Sequence, residues 1–173
     1  MATPPLHRHE ALRPLSREHM NGLIQARNLL RAAGDGPVAG CEAVAEFVRV
    51  WQAEVRGHFD DEERLLIPLI DDHRCRERLA SEHAELRALA DRCRIDPVGA
   101  GADAALLERL GTLLHDHIRW EERVLFEAIQ RDHPESLAAM LHHADEIERV
   151  RPGARARRAL TNDGVVGEEE RAP

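Results

Sequence analysis

The sequence predicts an all-α protein, an antiparallel up-down four-helix bundle with a short fifth helix and a disordered C-terminal tail. Three observations carry this. Apolar residues recur at spacings of three and four through most of the 173 residues, the mark of helices with one buried face. No alternating stretch is long enough for a strand. Clusters of Gly and Pro cut the chain into four long segments joined by short connections, the pattern of an up-down bundle.

The first helix is expected to start after Ser16, an N-cap behind Pro14, and to run to about Ala33, where Gly34-Asp35-Gly36-Pro37 ends it. The second spans about Cys41 to Asp72, with Pro68 kinking it near its end. The third takes Cys75 to Cys93 and is closed by Asp96-Pro97 and the glycines at 99 and 101. The fourth runs from about Asp103 to Asp132, and a shorter fifth follows Pro134 to about Val150. From Pro152 onward Arg, Gly and Glu replace the apolar period. Residues 1–15 are therefore expected to form an arm, 16–150 the bundle and 151–173 a disordered tail, whose Arg155, Arg157 and Arg158 read as solvated.

Composition narrows the chemistry. Asp and Glu number 32 against 24 basic residues, for a net charge of -8, and every basic residue is Arg. Without Lys or Tyr there is no Schiff-base lysine and no tyrosyl radical. An acidic chain with five Phe and Trp in all lacks the positive footprint a nucleic-acid partner needs. The longest apolar run, Leu65 to Ile70, is far short of the roughly 20 residues of a membrane span. The first residues do not read as a signal peptide, so a cytoplasmic location is expected. Cys41, Cys75 and Cys93 form no CxxC pair and suggest neither disulfides nor a thiolate zinc site.

Histidine is the unusual residue, with 11 in the chain. The second helix is expected to bury Val44, Val48, Trp51, Val55, His58, Glu62, Leu65 and Leu69, and the third Leu79, His83, Leu86, Ala90 and Cys93. The fourth offers Leu106, Leu110, Leu113, His117, Glu121, Val124 and Ala128, and the first Leu15, His19, Leu23, Ala26 and Leu30. Every helix thus puts a histidine on its buried stripe, and two add a glutamate one turn later. A lone core histidine is more often a hydrogen-bonded core residue than a ligand. Two unpaired core carboxylates change the balance, because each costs several kcal/mol. Positions i and i+4 share one helix face about 6 Å apart. HxxxE can therefore present an imidazole and a bridging carboxylate together, and four histidines with two glutamates suffice for two ions roughly 3.5–4 Å apart.

The chain also repeats itself. His58-Phe-Asp-Asp-Glu62-Glu-Arg aligns with His117-Ile-Arg-Trp-Glu121-Glu-Arg, and Ser16-Arg-Glu-His19 with Ala80-Ser-Glu-His83. Among the other histidines, His115 faces away from the site, His7, His9, His73 and His133 read as solvated, and His142 and His143 as packing residues. Glu63 and Glu122, each followed by Arg, read as solvated ion pairs, with Glu18 and Glu82 as alternatives for orienting ligand imidazoles. With metal removed, the two core glutamates are expected to take up protons or the bundle to loosen.

At these residues the sequence resembles the haemerythrin-like, or HHE cation-binding, family of non-haem di-iron bundles, over Ser16 to about Gln130. The resemblance implies two non-haem irons, oxo- or hydroxo-bridged, ahead of manganese or zinc, with His19, His58, His83 and His117 as terminal ligands and Glu62 and Glu121 as bridges. Arg87 stands where oxygen carriers have a further histidine, and Glu121 follows its histidine by four residues where they have an aspartate after five. The set of four histidines and two glutamates is more similar to the di-iron domain of iron-sulfur cluster repair proteins. A guanidinium cannot ligate, so Arg87 is expected to turn to solvent or to a rim carboxylate.

The implied function is to bind or sense a small ligand, namely dioxygen, nitric oxide or iron itself. The alternatives are an enzyme reducing peroxide or nitric oxide, and an iron donor in cluster repair. No residue is singled out as catalytic and no protein partner is indicated.

Overall fold

The computed structural model of the chain describes residues 7–151 and residue 153. Helices dominate and no strand occurs among the described residues. A 3-10 turn at Glu10–Leu12 leads into α1 (Arg13–Asp35). Then come α2 (Pro37–Val50), a π turn (Trp51–Val55), α3 (Arg56–Leu66) and a 3-10 turn (Ile67–Leu69) in unbroken succession. After α4 (His73–Ile95) and a short α5 (Pro97–Ala102), the run of α6 (Ala104–Trp120), a π turn (Glu121–Leu125) and α7 (Phe126–Asp132) repeats that pattern. The chain closes with α8 (Pro134–Ala139) and α9 (Leu141–Val150).

The helix boundaries differ from expectation where Pro and Gly act. Pro14 lies inside the first turn of α1, where a missing N–H costs nothing, so the helix begins before Ser16. The Ser16 hydroxyl instead donates to Glu122. A single residue, Gly36, separates α1 from α2, and Pro37 starts the new helix. Gly36 has φ 94°, which an L side chain rarely adopts. Gly36→Ala is expected to lower stability by about 1–3 kcal/mol in urea unfolding. Pro68 ends the second helix in a tight 3-10 turn, so regular helix stops at Leu66 instead of Asp72. Asp72 and Asp103 cap α4 and α6, accepting from the N–H groups of Arg74 and Leu106. The glycine-containing connection after Cys93 folds as α5, capped by Asp96. The fifth helix breaks at Met140.

Each π turn adds one residue to a helix and slides the buried stripe by one position. Beyond the second π turn Leu125 and Ile129 are buried, while Val124, expected inside, is 49% exposed. Before the first, Phe47 takes the place expected for Val48. In α1, Leu29 is buried and Leu30 is 38% exposed. The expected stripe of α4 is buried throughout.

The buried apolar residues fall into two clusters. One gathers Ala26, Phe47, Val55, Phe59, Leu86, Leu110 and Leu114 with their neighbours. The other gathers Leu12, Leu15, Leu66, Leu79, Trp120, Phe126 and Ile147 with theirs. Every long helical stretch passes from one cluster to the other, and His19, Glu62, His83 and His117 stand at the crossings. The polar layer is thereby roofed and floored by hydrocarbon. The three cysteines are free, and Arg155, Arg157 and Arg158 lie outside the described residues.

Candidate metal centre

His19 on α1, His58 and Glu62 on α3, His83 on α4, His117 on α6 and Glu121 at the second π turn converge in that layer. All six are buried, with His83, His117, Glu62 and Glu121 at zero exposure. They sort into two groups, His19, His58, Glu62 and Glu121, and Glu62, His83, His117 and Glu121. Within each group the potential donor atoms lie within 4.8 Å of one another. Both carboxylates belong to both groups. One oxygen of Glu62 lies 3.0 Å from His58 Nε2 and 3.3 Å from His19 Nε2, and the other 3.5 Å from His83 Nε2. Glu121 turns one oxygen to His19 at 3.2 Å and the other to His117 at 3.3 Å and His83 at 3.8 Å.

Every imidazole is held from behind through Nδ1. His19 donates to Glu122 at 2.6 Å, His58 to Glu18 at 3.0 Å, His83 to Glu63 at 2.9 Å and His117 to Glu82 at 2.8 Å. A carboxylate accepts and does not donate, so the proton of each neutral ring sits on Nδ1 and each Nε2 is a lone pair aimed inward. The two-fold sequence repeat is visible here. The glutamate before the histidine on α1 or α4 holds the histidine on α3 or α6, and the glutamate after Glu62 or Glu121 holds His83 or His19.

This arrangement corrects the expectation for Glu63 and Glu122, which are half-buried partners of imidazoles, not solvated ion pairs. The EER doubling after each HxxxE was the signal available for them. Glu18 and Glu82 do orient imidazoles. Arg87 turns to the rim as expected, donating to Glu63 at 2.6 Å and Asp60 at 3.0 Å. Among the other histidines, His73 is exposed and His115 bonds Asp116 at the surface. His9 caps the first 3-10 turn through Nδ1, His133 pairs with Asp71, and His142 packs edge-on against His143.

The inner faces fit a cation. Glu62 and Glu121 have all four oxygens buried without a hydrogen bond, as are the Nε2 atoms of His19 and His58. His83 Nε2 and His117 Nε2 stand 3.0 Å apart, two lone pairs facing each other in the neutral rings. Lone pairs converging with no donor among them call for a proton, a donor or a metal ion. Imidazole nitrogen with carboxylate oxygen suits iron, manganese or zinc.

Where protons fill the site, they go to the imidazoles. Burial opposes charging of His58, but the charge of Glu62, the bond to Glu18 and the close contact with Glu62 override it and raise the pKa to about 9. His117 is likewise lowered by burial and carried up to about 9 by Glu121, Glu82 and Glu62. His19 and His83 shift upward against burial through their close contacts with Glu121 and Glu62, joined at His19 by the bond to Glu122. Burial would raise Glu62 and Glu121, and the facing imidazoles bring both below the usual carboxylate range. The expectation that the glutamates take up protons is thus reversed, because each carboxylate faces several basic rings.

Fold and site together define, among the described residues, a helical protein whose buried His/Glu groups could hold a cation. The chain belongs to the hemerythrin HHE cation binding domain family, whose profile matches residues 7–129. No curated protein and no solved structure matches it significantly. No helix among the described residues is long and apolar enough to cross a membrane.

Proposed function

We propose that the chain is a non-haem di-iron protein that binds or senses a small ligand, with dioxygen, nitric oxide and iron itself as the candidates. His19 and His58 would serve one iron, His83 and His117 the other, and Glu62 and Glu121 would bridge them. The long helical stretches would form an antiparallel up-down bundle around the pair. The alternation with which successive stretches leave one apolar cluster and enter the other supports that topology.

The observation that carries the proposal is the inward convergence of unpaired lone pairs from six buried residues, shared out so that each carboxylate has an oxygen toward both histidine pairs. One cation would leave half of them unsatisfied. Iron bound there would supply open coordination positions for a small ligand. The protein's own contribution is to fix the rings through Nδ1, to exclude bulk water and to limit what can enter. Beside His19 and His58 lies a cavity of about 10 Å³ lined by Gly22, Val55, Phe59, Leu114 and Ile118 with Glu18 and Glu54. It is close to the least volume that accepts a water-sized guest, which favours diatomic ligands or peroxide over larger substrates.

Protein made under iron repletion is expected to hold two irons per chain and to absorb in the near ultraviolet. Metal analysis together with the absorption spectrum checks this, and one iron per chain, or zinc taken in preference under iron excess, would overturn it. Peroxide turnover by the loaded protein, compared with Glu62→Ala, tests the enzyme alternative.

A further inference from the structure

The two-fold relation among the ligands and their glutamates stops at the next layer. Each of the four orienting glutamates is held by an arginine, but the arginines come from different places. Beside His83 and His117 both belong to α4. Arg87 donates to Glu63 at 2.6 Å, and Arg78 donates to Glu82 at 2.8 Å while lying over the Trp120 ring. Beside His19 and His58 they lie outside regular helix, one before the first 3-10 turn and one just past α9. Arg8 donates to the Glu122 carboxylate at 2.6 Å and to its carbonyl at 2.7 Å. Arg151, just past α9, brackets Glu18 with contacts of 2.5 and 3.0 Å and reaches Asp61 at 2.6 Å.

These two guanidiniums are the better buried, at 7% exposed for Arg8 and 12% for Arg151, against 32% for Arg87 and 41% for Arg78. The segment bearing Arg151 also lies over the cavity side of the site. Its guanidinium approaches Gly57, and a Cβ at Gly153 would meet the carboxylate of Glu54, a cavity-lining residue. On the side of the other histidine pair, Phe59 stacks on His83 at 3.9 Å and 6°.

We propose that the His19/His58 position is the exchangeable one of the two metal positions, and that Arg8 and Arg151 are positioning residues whose release opens it. This rests on the reading of the six residues as holding two metals. Backbone outside a regular helix opens at lower free energy than the middle of a long packed helix. When Arg151 leaves, Glu18 is a buried anion stripped of its guanidinium, and it can no longer hold the His58 ring in place. When Arg8 leaves, Glu122 keeps the Ser16 hydroxyl as a donor, so the loss is smaller. Arg78 and Arg87 share α4 with His83, so their backbone moves only with that helix. One metal position is thereby tied to the rigid core and the other to two straps.

The test is anaerobic extraction of ferrous iron from the full chain by a chromogenic chelator. The loaded parent is expected to release one equivalent fast and the second slowly. The fast equivalent should be missing from His58→Ala and the slow one from His117→Ala. Arg151→Gln should speed the fast equivalent about 10- to 100-fold and leave the slow one unchanged. Arg8→Gln should act in the same direction but less. Arg78→Gln and Arg87→Gln should act on the slow equivalent. Arg151→Lys, whose ammonium cannot span Glu18 and Asp61 together, should fall between parent and Arg151→Gln. Release of both equivalents at one rate by the parent, which needs no variant to fold, would overturn the proposal, as would equal acceleration of both by Arg151→Gln. A chain that loads fewer than two equivalents would instead overturn the two-metal reading beneath it.

Discussion

Metal-free protein is expected to lose stability as pH rises from about 6.5 to about 9, while the metal-loaded protein does not. The imidazoles of His58 and His117 have folded-state pKa values of about 9, against an ordinary value of 6.5. A pKa raised on folding stabilises fully below the unfolded value and loses that contribution as pH climbs through the folded value. Each shift of this size is worth on the order of 3 kcal/mol. In the loaded protein the metal takes the protons' place. Its stability should rise up to about pH 6.5, where the unfolded chain sheds its histidine protons, and then level off. The gap between the two melting temperatures should therefore widen across that window, with the metal-free form melting well below the loaded one at pH 9. Thermal melts of chelator-treated and loaded protein at pH 6, 7.5 and 9 decide the matter. A metal-free melting temperature that is flat or rising over that range would contradict the site described here.

Glu62→Ala is expected to disturb both metal positions at once, whereas His83→Ala should disturb only one. Glu62 turns one oxygen to His19 and His58 and the other to His83, and it belongs to both groups that could hold a metal. Metal content should drop below one per chain in Glu62→Ala and settle near one in His83→Ala. The metal-free protein also feels the change. Removing a buried carboxylate from facing imidazolium rings leaves uncompensated charge, at a cost of about 3–5 kcal/mol near pH 6. Glu62→Gln keeps the shape and removes the charge that contributes most to raising His58. Its metal-free pH transition should accordingly move below 9. Two metals retained by Glu62→Ala would show that this carboxylate does not serve both positions.

The six inner residues were legible in the sequence because two constraints coincide on them. Helical spacing put His19, His58, His83 and His117 on buried stripes, and burial without a countercharge set Glu62 and Glu121 apart. The outer layer was harder to see. Glu63 and Glu122 lie beyond the ideal stripe and are followed by Arg, the usual mark of a solvated pair. They reach the site because the rings they hold come from α4 and α1, a relation between helices that spacing within one helix does not contain. Arg8 and Arg151 carry no local signal, since their partners Glu122 and Glu18 are more than a hundred residues away in the chain. The misplacement of Val124 has a single cause, a π turn, and no propensity distinguishes Glu121–Leu125 from ordinary helix.

Those π turns set what length changes the protein can absorb. In each, one N–H reaches back five residues, from Arg56 to Trp51 and from Phe126 to Glu121. Deleting one residue within either turn would return the helix to its regular ladder and, for that helix alone, improve its hydrogen bonding. Everything on the far side would then rotate by about 100° relative to the near side. After a deletion in the first turn, a helix still anchored by Val44 and Phe47 would swing His58 and Glu62 off the axis. After one in the second, His117 would stay in place while Leu125 and Phe126 left the floor beneath it. The irregular backbone acts as a phase adjuster between the part of each helix that meets the His/Glu layer and the part that packs away from it. Single-residue deletions there should yield well-folded helices that have lost their centre.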